Sequence, residues 1–290
     1  MKNNQLERYA TAAFVIGSII GTFFFSRPKR GAFRTDIADE QQRELDLNLT
    51  TPANATFGIA WPVIYTGTIG LAVHQALPSQ ANNPRYAKAR PWLWANYVLN
   101  LVFGYFFSKS DLSSRVGGGL TTISLLPLSL GLHRQLEIGR TAVPEPENTL
   151  RKSISLYTGW LTAATVVSGA NLLLQAGYRV SPATARRWAY GILSATGGLG
   201  IVVSKRLNDP YYLVTLIAAF VGIAAKQRGR NDDVAAVAAA WAVALAGVFV
   251  QRLRDAQTTA QQAPATDAAD QSSESPAEPA TPALVEADKG

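Results

Sequence analysis

The sequence predicts an all-α fold, a polytopic bundle of about eight transmembrane helices. Of its 290 residues, 48% are hydrophobic and only 16% are charged, whereas about 25% are charged in a typical globular protein. The runs 57–77 and 234–250 contain no Asp, Glu, Lys or Arg. A helix on a soluble protein needs a polar face toward water, and these runs have none. Their length suits a bilayer, because about 20 helical residues cross its hydrocarbon core.

Eight segments of the chain are apolar enough, or nearly so, to be predicted as membrane spans. The count falls to seven if the seventh segment is partial or re-entrant. The loops between them are short and rich in Pro and Asn, which favours antiparallel helices packed in sequence order. In chain order, the predicted spans are 9–26, 57–77, 92–107, 116–133, 154–176, 188–204, 211–225 and 234–250.

The ends of the chain differ from its centre in composition. Residues 1–26 predict an N-terminal membrane anchor helix; a cleaved signal peptide is the alternative, but no small-residue cleavage site follows the apolar run. Residues 27–56 predict a charged juxtamembrane linker. Residues 252–290 are rich in Ala, Thr, Gln, Pro and acids. That composition buries too little apolar surface to fold, so this segment is predicted to be a disordered acidic tail.

Charge and composition exclude several classes of function. The net charge is +7, but the basic residues lie in short clusters between apolar runs, which indicates contact with lipid headgroups rather than nucleic acid. Lys and Arg are equally frequent in the loops on the two predicted sides, so they do not orient the bundle. The chain has no cysteine and two histidines. Disulfides and thiolate metal sites are therefore excluded, and no metal centre is predicted.

Aromatic and polar residues recur at helical spacing in three predicted spans. Such stripes place their members on one helix face. Trp61, Asn100 and Trp160 lie deep within their spans, where an unpartnered N–H or carboxamide is costly. We therefore expect them to face a cavity or, alternatively, to join helices by packing. The stripes are Phe57, Trp61 and Tyr65; Trp92, Asn96, Asn100, Phe103 and Phe107; and Tyr157, Trp160 and Ala164.

These stripes resemble the motifs of a known family. The run Phe57-Gly-Ile-Ala-Trp-Pro-Val-Ile-Tyr65 resembles the first-helix signature of the TspO/MBR family, the tryptophan-rich sensory proteins. Asn100-Leu-Val-Phe103 is similar to its Asn-x-x-Trp motif, with Phe103 in place of the tryptophan. Ser155-Leu-Tyr-Thr-Gly-Trp160, followed by Ala163-Ala-Thr165, resembles its fourth-helix pattern, although Asn171 only approximates the asparagine that usually follows. The chain resembles a divergent, long form of the family.

The resemblance implies a TspO-like five-helix core over 57–204, followed by additional transmembrane helices over 205–251. It also implies a multi-pass membrane protein, in the cell membrane if bacterial, that binds a porphyrin, haem or sterol-like hydrophobic molecule in a sensory, regulatory or transport role. The expected site lies on the three stripes, with no required cofactor and no catalytic residue; homodimer formation is left open. A small-molecule transporter or channel without this ligand is the alternative, and a porphyrin- or lipid-modifying enzyme is a third.

Overall fold

A computed structural model describes residues 2–26, 46–109 and 111–262, with side chains described over 5–24, 46–109 and 111–256. These residues form eight α-helices and a short 3-10 helix at Pro78–Gln80, with no β-strand among them, so the predicted all-α helix bundle is confirmed. In chain order, the α-helices are α1 Lys2–Ser26, α2 Asn54–Ala76, α3 Pro84–Phe107, α4 Leu112–Gln135, α5 Glu147–Gln175, α6 Pro182–Leu207, α7 Tyr212–Gln227 and α8 Asp232–Gln262.

Short polar side chains set several helix boundaries. Asn83, Asp111 and Ser181 each accept a hydrogen bond from a backbone N–H in the first turn of α3, α4 and α6. Such caps satisfy donors that have no partner within the helix. Helix α6 ends at Leu207, and the left-handed backbone of the next residue, Asn208 (φ 51°), stops the helical hydrogen-bond pattern. The turn residues of the sequence thus define the connections between the helices.

Five helices close a ring in the order α1, α2, α5, α4, α3, each packing on the next and α3 returning to α1. Helix α1 is fully part of it: Phe14 stacks on Trp94 of α3 with centroids 4.1 Å apart, and Val15 is completely buried. The ring differs from the five helices of the predicted 57–204 core. It includes α1, which was predicted as a separate anchor, and it leaves α6 outside.

The remaining helices pack around one side of the ring. Helix α7 lies against α2 and α5, and Thr215 donates a hydrogen bond to the Leu156 carbonyl oxygen at 2.7 Å. Helix α6 lies beside α5 and α7, and the Trp241 ring of α8 packs against Gly197 of α6. Buried side chains of α2, α5, α6, α7 and α8 share one apolar core.

Three helices are long and apolar enough to cross a membrane within the described residues: α2, α4 and the part of α8 over Asp232–Ala256. Helix α7 is apolar but shorter. Polar residues lower the hydropathy of other predicted spans. Several of these, such as Thr11, Asn96 and Thr158, are buried inside the bundle rather than directed outward. Burial of polar side chains against other helices is compatible with a membrane location.

Two predicted segments are only partly described. Within the predicted linker, residues 27–45 lie outside the described part of the chain, whereas 46–53 is a packed segment. In it, Asn48 donates hydrogen bonds to Asn171 and to the Val167 carbonyl of α5, and the Ala53 N–H bonds to the Gly222 carbonyl of α7. Within the predicted tail, α8 continues to Gln262, and residues 263–290 lie outside the described residues.

Candidate functional site

Five aromatic side chains from α2 and α5 meet inside the bundle. Trp61 stacks on Tyr65 with ring centroids 4.9 Å apart, and its ring meets Trp160 at 6.0 Å and Tyr157 at 6.3 Å. Phe57 completes the cluster with an edge-on contact to Trp160 at 5.2 Å. The offset and edge-on geometries are those that aromatic quadrupoles favour. The first and third sequence stripes therefore converge on one aromatic cluster, formed by these five residues.

Helical spacing explains why these rings meet. Residues four apart on α2 and three apart on α5 lie on one face of their helix. Because α2 and α5 pack directly together, the two faces oppose each other. Tyr157 and Trp160 are each only 2% exposed, while Phe57, Trp61 and Tyr65 are half-buried. The α5 rings thus form the inner wall and the α2 rings the accessible side of the cluster.

Two asparagines of α3 provide the polar part of the site. The Asn100 side-chain amide donates to the Tyr157 hydroxyl oxygen and to the Asn96 carbonyl oxygen, each at 2.9 Å. The Asn96 amide donates to the Trp92 carbonyl oxygen at 2.9 Å. The side-chain oxygen of Asn96 is buried without a hydrogen-bond partner. An unpaired buried acceptor is energetically unfavourable.

The other predicted site residues lie apart from these contacts. Phe103 stacks on Phe107 with centroids 5.4 Å apart, and Phe107 is 47% exposed. Ala164 is half-buried, one helical turn beyond Trp160. Where the family motif has tryptophan, Phe103 thus faces an aromatic neighbour of its own helix. The part of these three residues in a site stays a prediction.

Sequence reasoning missed Tyr97, which lies next to the α3 stripe. Its side chain is only 2% exposed. Its spacing of three residues from Asn100 and four from Leu93 would have indicated a buried face. Asn171, by contrast, lies outside the cluster: its side-chain oxygen accepts a hydrogen bond from Asn48 at 2.7 Å. It fixes the segment that precedes α2.

Both histidines are engaged in buried hydrogen bonds away from the aromatic cluster. His74 Nδ1 lies 2.7 Å from the Tyr86 hydroxyl, and His133 Nε2 lies 2.9 Å from the Asp209 carboxylate. Among the described residues, no group of three or more His, Asp or Glu is arranged to hold a metal ion.

A comparison with models of protein families identifies the family of this chain. A model described as TSPO-like protein matches residues 8–251, most of the chain. The chain belongs to the TSPO-like protein family. The resemblance seen in the α2, α3 and α5 motifs is thereby confirmed, and as a TSPO-like protein the chain is a membrane protein. The family match begins within α1 and ends within α8, so it is wider than 57–204. No curated protein and no solved structure matches the chain.

Proposed function

We propose that this TSPO-like protein is a multi-pass membrane protein that binds a flat hydrophobic ligand, such as a porphyrin or haem, at the aromatic cluster. One observation carries the proposal: the stacked Trp61 and Tyr65 rings stand opposite Trp160, and the Asn100 amide of α3 reaches the Tyr157 hydroxyl of the same cluster. A planar apolar ring gains by stacking on such side chains, by about 0.5–1.5 kcal/mol per aromatic pair beyond the buried area.

The geometry also suggests how the ligand would fit. The rings of Trp61 and Trp160 contact each other, so a ligand must either part them or lie on the half-buried side of the α2 rings. The Asn100 amide donates to Tyr157 and to the Asn96 carbonyl. Asn96, whose oxygen is unpartnered, is better placed to accept a hydrogen bond from a ligand N–H or O–H.

The proposed role is binding without catalysis, with a sensory, regulatory or transport output. The cluster brings together aromatic rings and carboxamides, which stack and hydrogen-bond but are weak acids and bases. Porphyrin or haem would act as a ligand rather than a required cofactor. In this proposal most helices cross the bilayer, which is the cell membrane if the protein is bacterial.

Native mass spectrometry of the full chain, released from membranes in a mild uncharged detergent, tests the proposal. We expect a hydrophobic adduct that is exchanged by added protoporphyrin IX. The Trp61→Ala variant should lose the adduct, whereas Trp188→Ala, which removes an exposed indole on α6, should keep it. Equal adducts in both variants, or no protoporphyrin adduct on folded protein, would contradict the proposed site.

A further inference from the structure

A second site lies at the end of the bundle where the α4–α5 and α6–α7 loops meet. It is a cleft of about 160 Å³. Its mouth includes the exposed Asn148 and Asn208, and its inner wall includes the buried Arg151 and Ser155. None of its lining residues belongs to the aromatic cluster. They are Ile138, Gly139, Asn148, Arg151, Lys152, Ser155, Asn208, Asp209, Pro210 and Tyr211.

Arg151 lines this cleft with a positively charged guanidinium group that has one N–H without a hydrogen-bond partner. It is only 4% exposed, and its two terminal nitrogens donate to the carbonyl oxygens of Leu136 and Thr141, at 2.8 and 2.9 Å. Its Nε is buried without a partner. These carbonyls carry no net charge, and the nearby Glu147 pairs with Arg85 at 3.0 Å. Burial lowers the pKa of Arg151 from its ordinary value, as expected for a desolvated cation.

Two more lining groups favour an anion. Ser155 is fully buried and its hydroxyl has no hydrogen-bond partner. The Lys152 ammonium lies 4.6 Å from the centre of the Tyr211 ring. Lys152 and Ser155 thus place a positive charge and a hydroxyl donor in the wall of the cleft.

A carboxylate also lines the cleft and offsets part of the positive charge, but both of its oxygens are held in hydrogen bonds within the protein. Asp209 is 2% exposed, with one oxygen 2.9 Å from His133 Nε2 and the other accepting the Tyr211 N–H at 3.0 Å. The groups left without partners are an arginine N–H and a serine hydroxyl, and a hydroxyl can donate to an oxyanion.

We propose that this cleft binds a phosphate-type oxyanion, held by Arg151 Nε and the Ser155 hydroxyl, with Lys152 supplying a second positive charge. The site is independent of the aromatic cluster and goes beyond the function proposed for it. The same chemistry fits a free phosphate group and the headgroup of an anionic lipid. A headgroup is a natural occupant at the end of a membrane bundle, where basic pockets bind lipid phosphates.

Two probes distinguish these sources. Inorganic phosphate is titrated calorimetrically into the full chain in an uncharged detergent, and dioleoyl phosphatidic acid is added in parallel and followed by native mass spectrometry. We expect saturable binding of at least one probe. Lys152→Gln and Ser155→Ala should each weaken it about tenfold, since each removes a charge-assisted contact.

Matched controls separate the cleft from general effects. Lys205→Gln removes an exposed lysine of α6 outside the cleft, and Ser153→Ala removes a buried α5 hydroxyl that already bonds to the Leu150 carbonyl. Both should bind like the wild type. Phosphate binding lost in the cleft variants indicates a free anion, and a phosphatidic acid adduct alone indicates a headgroup. Binding of neither probe, or equal weakening in the controls, overturns the proposal. Lys152 is half-buried, so Lys152→Gln carries the test if Ser155→Ala does not fold.

Discussion

The side-chain amide of Asn100 on α3 donates a hydrogen bond to the hydroxyl oxygen of Tyr157 on α5, with 2.9 Å between the two atoms. Helices α3 and α5 are not neighbours in the ring of five; α4 stands between them on one side, α1 and α2 on the other. The bond therefore crosses the interior of the ring. It holds the inner wall of the aromatic cluster, and its removal should affect both the stability and the shape of the site.

A double-mutant cycle on Asn100→Ala and Tyr157→Phe should measure this cross-ring bond. We expect a coupling free energy of about 0.5–1.5 kcal/mol, since side-chain hydrogen bonds within membrane bundles are of that size. The measurement is equilibrium unfolding of the purified protein in mixed detergent micelles. Additive effects of the two substitutions would mean that the bond contributes nothing to stability.

The contact of α5 with α7 depends on Gly159. A Cβ atom built on Gly159 would lie 2.0 Å from the Tyr212 carbonyl oxygen, a backbone atom that cannot move aside cheaply. We expect Gly159→Ala to destabilise the protein by about 2 kcal/mol or more through overpacking. Gly169, on the same helix, has nothing within 4 Å of such an atom. Gly169→Ala should therefore be neutral or stabilising by up to about 1 kcal/mol.

Thermal unfolding of the two glycine variants in the same detergent provides the comparison. A lower midpoint for Gly159→Ala alone is the expected result. If both alanines lowered the midpoint equally, the close approach of α5 and α7 would not be the cause.

An ion pair joins the beginnings of α3 and α5. Arg85 Nε lies 3.0 Å from the Glu147 carboxylate, whose side chain is 4% exposed, and Asn83 also donates to it. The hydrogen bond to Glu147 raises the pKa of Arg85. Arg85→Gln should destabilise the protein by about 1–2 kcal/mol, because it leaves a buried carboxylate with a weaker partner. Arg134→Gln, at an exposed position, is the control and should change the denaturation midpoint little. Equal losses of stability in the two variants would contradict a specific ion pair between Arg85 and Glu147.

The N-terminal cap of α4 predicts that the stability of the protein depends on pH. Hydrogen bonds from Ser113 and Ser114 lower the pKa of Asp111 from 3.8 to about 2. A carboxyl group with a lowered folded-state pKa stabilises the fold above its unfolded pKa, and that contribution is lost as the pH falls from about 4 to about 2. The melting temperature of the wild type should exceed that of Asp111→Asn near neutral pH, and the gap should close toward pH 2. A gap independent of pH would argue against the charged cap.

Helix positions could be predicted from the sequence because they depend on local signals. The apolar runs and turn residues such as Asn83 and Asn208 mark the helices, and the spacing of Trp61 and Tyr65 places them on one face. Which helix packs against each of these faces depends on contacts between residues that are far apart in the sequence. The inclusion of α1 in the ring rests on the packing of Phe14 on Trp94, which periodicity within either helix does not specify.

The candidate site was predictable to a similar extent. The stripes of α2 and α5 converge on the aromatic cluster, and Asn100 of the α3 stripe bonds to it, while a role for Phe103 and Phe107 stays a prediction. A stripe follows one line along a helix, whereas neighbouring helices cover only part of it, so Asn96 and Asn100 are buried while Phe107 is largely exposed. The cleft lined by Arg151 was not predicted because its lining residues come from three separate regions of the chain. Arg151 and Asp209 become neighbours of one cleft only in the folded bundle.

The central claim is that the aromatic cluster binds a planar hydrophobic ligand. Its most direct test is the dissociation constant of protoporphyrin IX, read from the change in its Soret absorbance, for the full chain in lipid nanodiscs. We predict saturable one-to-one binding that Trp61→Ala weakens about tenfold or more through lost stacking, while Trp188→Ala binds like the wild type. Equal dissociation constants for all three proteins, or no saturable binding by the folded wild type, would contradict the account.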